Sequence, residues 1–171
     1  MAQAVVPAPD GCYPNYTTAE GCKALNFLTT GAGNTGLGWY SLFLDTTGSF
    51  NTGLGAGTLV LNTADSNTAV GAAALLLNAT GPENTAVGAD ALVNNVAGES
   101  NTAVGAEALE FNYSAAAGLA SDTPAVGSDA HQVNADGNPN TDAAYAAPNT
   151  TIHTGGHHGD VAGHGRPRNS S

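Results

Sequence analysis

Asn67-Thr68-Ala69-Val70-Gly71, Asn84-Thr85-Ala86-Val87-Gly88 and Asn101-Thr102-Ala103-Val104-Gly105 are three copies of one pentapeptide, each starting 17 residues after the last. A short motif recurring at such an interval is the signature of a solenoid: no coil buries its apolar face alone, and stacked neighbours bury it jointly. Upstream, Asn51-Thr52-Gly53-Leu54-Gly55 and Asn34-Thr35-Gly36-Leu37-Gly38 are the same phrase with substitutions, and Thr17-Thr18-Ala19-Glu20-Gly21 opens a degenerate first copy. Six coils of 16 or 17 residues are therefore expected.

Each copy has a second half. A small residue (Ala24, Ser41, Thr58, Ala74, Ala91, Ala108) precedes an invariant leucine (Leu25, Leu42, Leu59, Leu75, Leu92, Leu109). Two residues later stands Phe27, Leu44, Leu61, Leu77, Asn94 or Phe111, with an unrestricted position between. Apolar residues two apart predict a short strand with both on one face. In the first half Leu37, Leu54, Val70, Val87 and Val104 sit between small residues and predict a second strand with one apolar anchor in a narrow core. Structural positions are thus assigned to Asn67, Val70, Gly71, Leu75, Asn84, Val87, Gly88, Leu92, Asn101, Val104, Gly105 and Leu109. The glycines supply turns, and the asparagines cap turns or stack as ladders between coils.

A helix-pair repeat needs more than about 30 residues, and a glycine inside a helix costs about 1 kcal/mol. The fold class is therefore all-β, a parallel β-roll or β-solenoid. Strands stack about 4.8 Å apart, which makes six coils a rod of about 29 Å. So thin a rod has a poor ratio of core to surface. The unrestricted slot, holding Phe43, Val60, Leu76 and Val93, places an apolar stripe outside and predicts a homo-oligomer, with a closed trimer or dimer as the simple solution.

Composition narrows the function. Only Lys23, Arg166 and Arg168 are basic against 14 acidic residues, for a formal net charge of −11. Nucleic-acid phosphates are bound through Lys and Arg, so a nucleic-acid partner is not expected; nor is attachment to anionic lipid. The acids Asp45, Asp65, Glu83, Asp90, Glu99 and Glu107 fall in separate repeats and read as a solvated face rather than a cation ladder. No apolar run approaches the roughly 20 residues of a membrane span, so membrane insertion by this chain is not expected.

The Asn-Thr-Ala-Val-Gly copies, with their downstream Ala-Leu and Thr-Gly turn, resemble the head repeats (Hep/Hag, YadA-like) of trimeric autotransporter adhesins. They are more similar still to bacterial exported proteins built from 17-residue copies of this motif. The likeness covers about residues 17–111, with an echo at Asp122-Thr123-Pro124-Ala125-Val126-Gly127. It implies a left-handed roll, three chains packed side by side, and a role in adhesion or matrix contact at a bacterial cell surface or outside the cell. Adhesin heads have shorter coils, and their coiled-coil stalk and β-barrel anchor have no counterpart in this sequence.

Outside the repeats, residues 1–16 carry Pro7, Pro9 and Pro14 and read as an irregular lead-in, with a small-x-small pattern at Ala2-Gln3-Ala4 like a signal-peptidase site. The solenoid domain is placed at 17–113, a degenerate repeat and spacer at 114–139, and a low-complexity, disordered tail at 140–171. Pro124 replaces a strand donor, which points to a sheet edge. Cys12 and Cys22 are the only cysteines. Either they close a short loop as a disulfide in an oxidising compartment, or Cys22 fills the small slot that holds Ala56 and Ala72 in later coils.

His153, His157, His158 and His164 have metal-ligand chemistry, but the glycines around them preform no geometry, and adventitious binding is the expectation. The sequons at Asn15, Asn78, Asn112, Asn149 and Asn169 follow from Asn- and Thr-rich composition. All five histidines lie at or after His131, outside the expected repeats, which leaves a nucleophile no base; no enzyme activity and no cofactor are expected. Two functions fit: a finite adhesin-like head that touches a host or matrix ligand along its side, or a structural filament built by end-to-end stacking of coils.

Overall fold

Each Thr-Ala-Val or Thr-Gly-Leu tripeptide forms a strand of three residues, and the following glycine ends it. The computed structural model describes residues 14–113 and 120–135, together with the strand backbone at 140–143, 150–152 and 158–160. After a 3-10 turn at Pro14–Tyr16 come β1 (Thr18–Glu20), β2 (Thr35–Leu37), β3 (Thr52–Leu54), β4 (Thr68–Val70), β5 (Thr85–Val87) and β6 (Thr102–Val104). They are followed by β7 (Phe111–Tyr113), β8 (Pro124–Val126), β9 (Val133–Ala135), β10 (Asn140–Ala143), β11 (Thr150–Ile152) and β12 (His158–Asp160). Among the described residues there is no α-helix, and so none long and apolar enough to cross a membrane.

The strands build a parallel β-solenoid. One nine-stranded sheet runs β1-β2-β3-β4-β5-β6-β8-β10-β12, and a second of three strands runs β11-β9-β7. Register is one to one: Thr52 pairs with Thr68, Thr68 with Thr85, Thr85 with Thr102, and Val70 with Val87 and Val87 with Val104. Five turns of 16 or 17 residues carry the chain from β1 to β6. The sixth takes 22, from Asn101 to Thr123.

The strand ends where it does because Gly71, Gly88 and Gly105 take φ of +127°, +144° and +143°, a region closed to side-chain-bearing residues. Space forbids a side chain there as well. A Cβ on Gly88 would fall on the carbonyl of Gly105 in the next coil, and one on Gly71 on that of Gly88.

The core reverses the expected roles of alanine and valine. Ala69, Ala86, Ala103 and Ala125 are fully buried, whereas Val70 is half-buried and Val87, Val104 and Val126 are exposed. In a three-residue strand the outer two residues share a face and the middle one takes the other. The interior of so narrow a coil admits a methyl group there, and the larger valine stands outside with the threonine.

The second half of each coil is a turn rather than the expected strand, until β7 opens the second sheet. Ala74–Leu75, Ala91–Leu92 and Ala108–Leu109 are adjacent residues buried together, which period two forbids. The leucines manage it by adopting φ of +48° to +53°, at a cost of about 1–2 kcal/mol each. Burial of the side chain returns about 1.5–3 kcal/mol. The residue two positions on, expected inside, is outside: Phe27, Leu44, Leu61 and Phe111 are exposed.

Neighbouring coils supply the remaining stability through two rows of buried side-chain amides. The first precedes the strands. The Asn34 Oδ1 accepts the Asn51 N–H at 2.8 Å, Asn51 that of Asn67 at 2.9 Å, Asn67 that of Asn84 at 2.9 Å, and Asn84 that of Asn101 at 3.0 Å. The second lies three residues past the leucines. Asn78 Nδ2 donates to Asn62 at 2.9 Å, Asn95 to Asn78 at 2.8 Å, Asn112 to Asn95 at 2.8 Å and Asn134 to Asn112 at 2.7 Å. Burial excludes Asn78 and Asn112 as sequons, because a glycosylated amide must face solvent.

The solenoid continues past the expected repeats. Thr123, Pro124, Ala125, Ala130, His131 and Asn134 take the slots of asparagine, threonine, alanine, small residue, leucine and second asparagine in a seventh coil. Pro124 stands inside the sheet, between β6 and β10, and not at an edge. His131 is buried in the leucine slot, so this histidine lies within the ordered coils.

Candidate functional site

The turn side of the rod carries the chemistry most suited to a partner. Phe43, Val60, Leu76 and Val93 occupy one slot in four successive coils and are each half-buried. Leu76 leans over the neighbouring turn, its Cδ1 3.4 Å from where a Cβ of Gly57 would stand. The next column, Phe27, Leu44, Leu61 and Leu77, lies more open, with Phe27 47% exposed. Sequence reasoning placed that column in the core. The two together make an apolar strip wider than the single predicted column.

At the strip's N-terminal end four rings meet. The Phe27 and Phe43 centroids are 5.1 Å apart edge to face, Tyr40 and Phe43 4.4 Å apart, and Trp39 and Tyr40 4.3 Å apart. Trp39 is 59% exposed. The strip loses apolar character in coils 5 and 6, where Asn94 takes the leucine position of the outer column and Glu110 the valine position of the inner one.

Acidic side chains stack beside it. Asp90, Glu107 and Asp129 occupy one turn position in coils 5, 6 and 7, and Glu107 is held above the ordinary carboxyl range by its hydrogen bond to Asp129. Gln132 Nε2 donates to Glu110 at 2.7 Å and to Glu107 at 3.3 Å. Among the described residues no group of three His, Cys, Asp or Glu side chains converges to hold a metal ion.

Among the described residues one carboxylate is buried. Asp45 occupies the second amide row in the coil before Asn62. It accepts hydrogen bonds from the Gly48 N–H at 2.8 Å and from Asn51 Nδ2 at 3.2 Å. Burial nevertheless pushes it up to about 6, with the Asp65 charge adding to the effect.

No protein-family model, curated protein or solved structure matches this chain. Its own geometry therefore carries the functional reading.

Among the other predicted positions, Cys22 is exposed on the first turn, and Cys12 lies outside the described residues. His153, His157 and His164 do too, and His158 is described only as strand backbone in β12. The residues missed from sequence are the second amide row. Its signal was present as Leu-x-x-Asn at Leu59–Asn62, Leu75–Asn78, Leu92–Asn95 and Leu109–Asn112.

Proposed function

We propose that this chain is a non-enzymatic, adhesin-like head, displayed at a bacterial cell surface or secreted, that makes contact with other surfaces or matrix as a homotrimer. The observation that carries this reading is the two-column apolar strip on the turn side of a rod whose coils are locked by buried amides. An apolar strip several coils long favours burial against copies of itself. A rod so locked can present its remaining faces without deforming.

Leu76→Glu with Val93→Glu is expected to convert a trimer into monomers in light scattering; a monomeric wild type overturns the oligomer. Displayed on cells that lack other adhesins, the chain is expected to raise retention on matrix-coated surfaces. Equal retention with and without it overturns the adhesive role.

The alternative, a filament formed by end-to-end stacking, is disfavoured by the first coil. Thr17 stands in the first asparagine slot, Leu28 in the second and Glu20 in the valine slot, so neither amide row continues into it. Long fibres in electron micrographs of the purified protein would reverse this preference.

A further inference from the structure

The strand side of the rod is chemically distinct from the turn side and has no part in the adhesive reading. In coils 2 to 6 its outward residues are threonine at the first strand position and leucine or valine at the third. Threonine stacks on threonine throughout, and at the third position leucine on leucine, leucine on valine and then valine on valine, without a slip. Strand spacing sets the repeat along the rod at about 4.8 Å, and two residues of extended chain set the repeat across it at about 6.6 Å. The result is a two-dimensional array of hydroxyls and methyls.

Two further features mark the array. It is free of charge: Asp65, Glu83 and Glu99 lie on the turn before the strand, and Asp90 and Glu107 on the turn after it. Its hydroxyls are also uncommitted. Among the described residues, no protein hydrogen bond engages the side chains of Thr35, Thr52, Thr68, Thr85 or Thr102.

We propose that this face binds ice. Water over a surface freezes into register when the surface holds it at lattice spacing. Here hydroxyls can anchor water molecules by hydrogen bonds, while methyls confine the water between them in cage-like order. The two repeats lie close to the oxygen spacings of the prism plane of ice. Charged groups would spoil the match by orienting water around themselves, and the array contains none in these coils. The amide rows beneath hold the coils in register, so the array is set before water meets it and loses little entropy on binding.

The full-length chain is expected to facet ice crystals and produce thermal hysteresis in an osmometer. Thr85→Tyr and Thr68→Tyr, whose rings stand above the array, are expected to lose most of that activity. Thr80→Tyr, exposed on the turn that precedes the strand and outside the array, is expected to retain it, with circular dichroism checking that each variant keeps the wild-type spectrum. Fluorescently labelled wild type is expected to accumulate on a growing ice hemisphere, a readout that needs no variant to fold. Unfaceted crystals without hysteresis, no accumulation on ice, or full activity in a folded Thr85→Tyr variant each overturn the proposal. The trimer measurement is separate, so either reading can fail without the other.

Discussion

Asp45 is a buried carboxylate in a row of amides. In every later described coil its slot holds an asparagine, whose amide both donates and accepts along the row. A carboxylate only accepts, and burial raises it from 3.8 to about 6. The sign follows from linkage: the folded state binds the proton more tightly, so this stabilisation is fully present below about pH 4 and lost as pH rises through about 6. Asp45→Asn is expected to stabilise the rod at pH 7 by on the order of 1–2 kcal/mol and to flatten its stability between pH 4 and 7. Urea denaturation of both proteins at the two pH values checks this. A wild type equally stable at both would contradict it.

The element scale separates what was legible from what was not. Parallel stacking was legible because Asn-Thr-Ala-Val-Gly recurs at an interval too short for a helix pair. The roles of Val87 and Ala86 were not, because hydrophobicity ranks valine above alanine, whereas the coil's cross-section selects by size. Leu92 was legible as core but not as a left-handed turn residue, because its neighbours fit period two equally well. Asn78 and Asn112 read only as chance sequons of an Asn- and Thr-rich composition, and their burial makes them members of one row. Pro124 was misread because a proline in a strand argues for an edge. Here its sheet tolerates one missing bond, the bond that Thr68 donates to Asn84 and Thr85 to Asn101, both at 2.8 Å. Pro124→Thr is expected to restore it and add about 1 kcal/mol, seen as a raised unfolding midpoint.

For the whole molecule, one-to-one register makes each coil a module that touches only its neighbours. Removing residues 84–100 joins Glu83 to Asn101, which occupies the same slot as Asn84, and both amide rows close across the gap. This deletion is expected to leave a folded, shorter rod with a lower melting temperature, because one inter-coil interface is lost. Removing only residues 84–91 turns the rows out of register and is expected to abolish cooperative melting. Circular dichroism melts of the two deletions check both outcomes. The surface has its own division of labour: apolar and aromatic side chains cover the turn side, and threonine and valine cover the strand side.

The same amide rows bear on the rod's behaviour under load. Pulled by its two ends, a stack held by identical inter-coil bonds yields one layer at a time rather than all at once. Each layer frees about 17 residues, or roughly 55–60 Å of contour at 3.3–3.6 Å per residue. Force spectroscopy is expected to record evenly spaced steps of about that length. A chain built this way pays out slack under tension and dissipates work at each step, so a cell tethered through it would be braked gradually instead of torn loose.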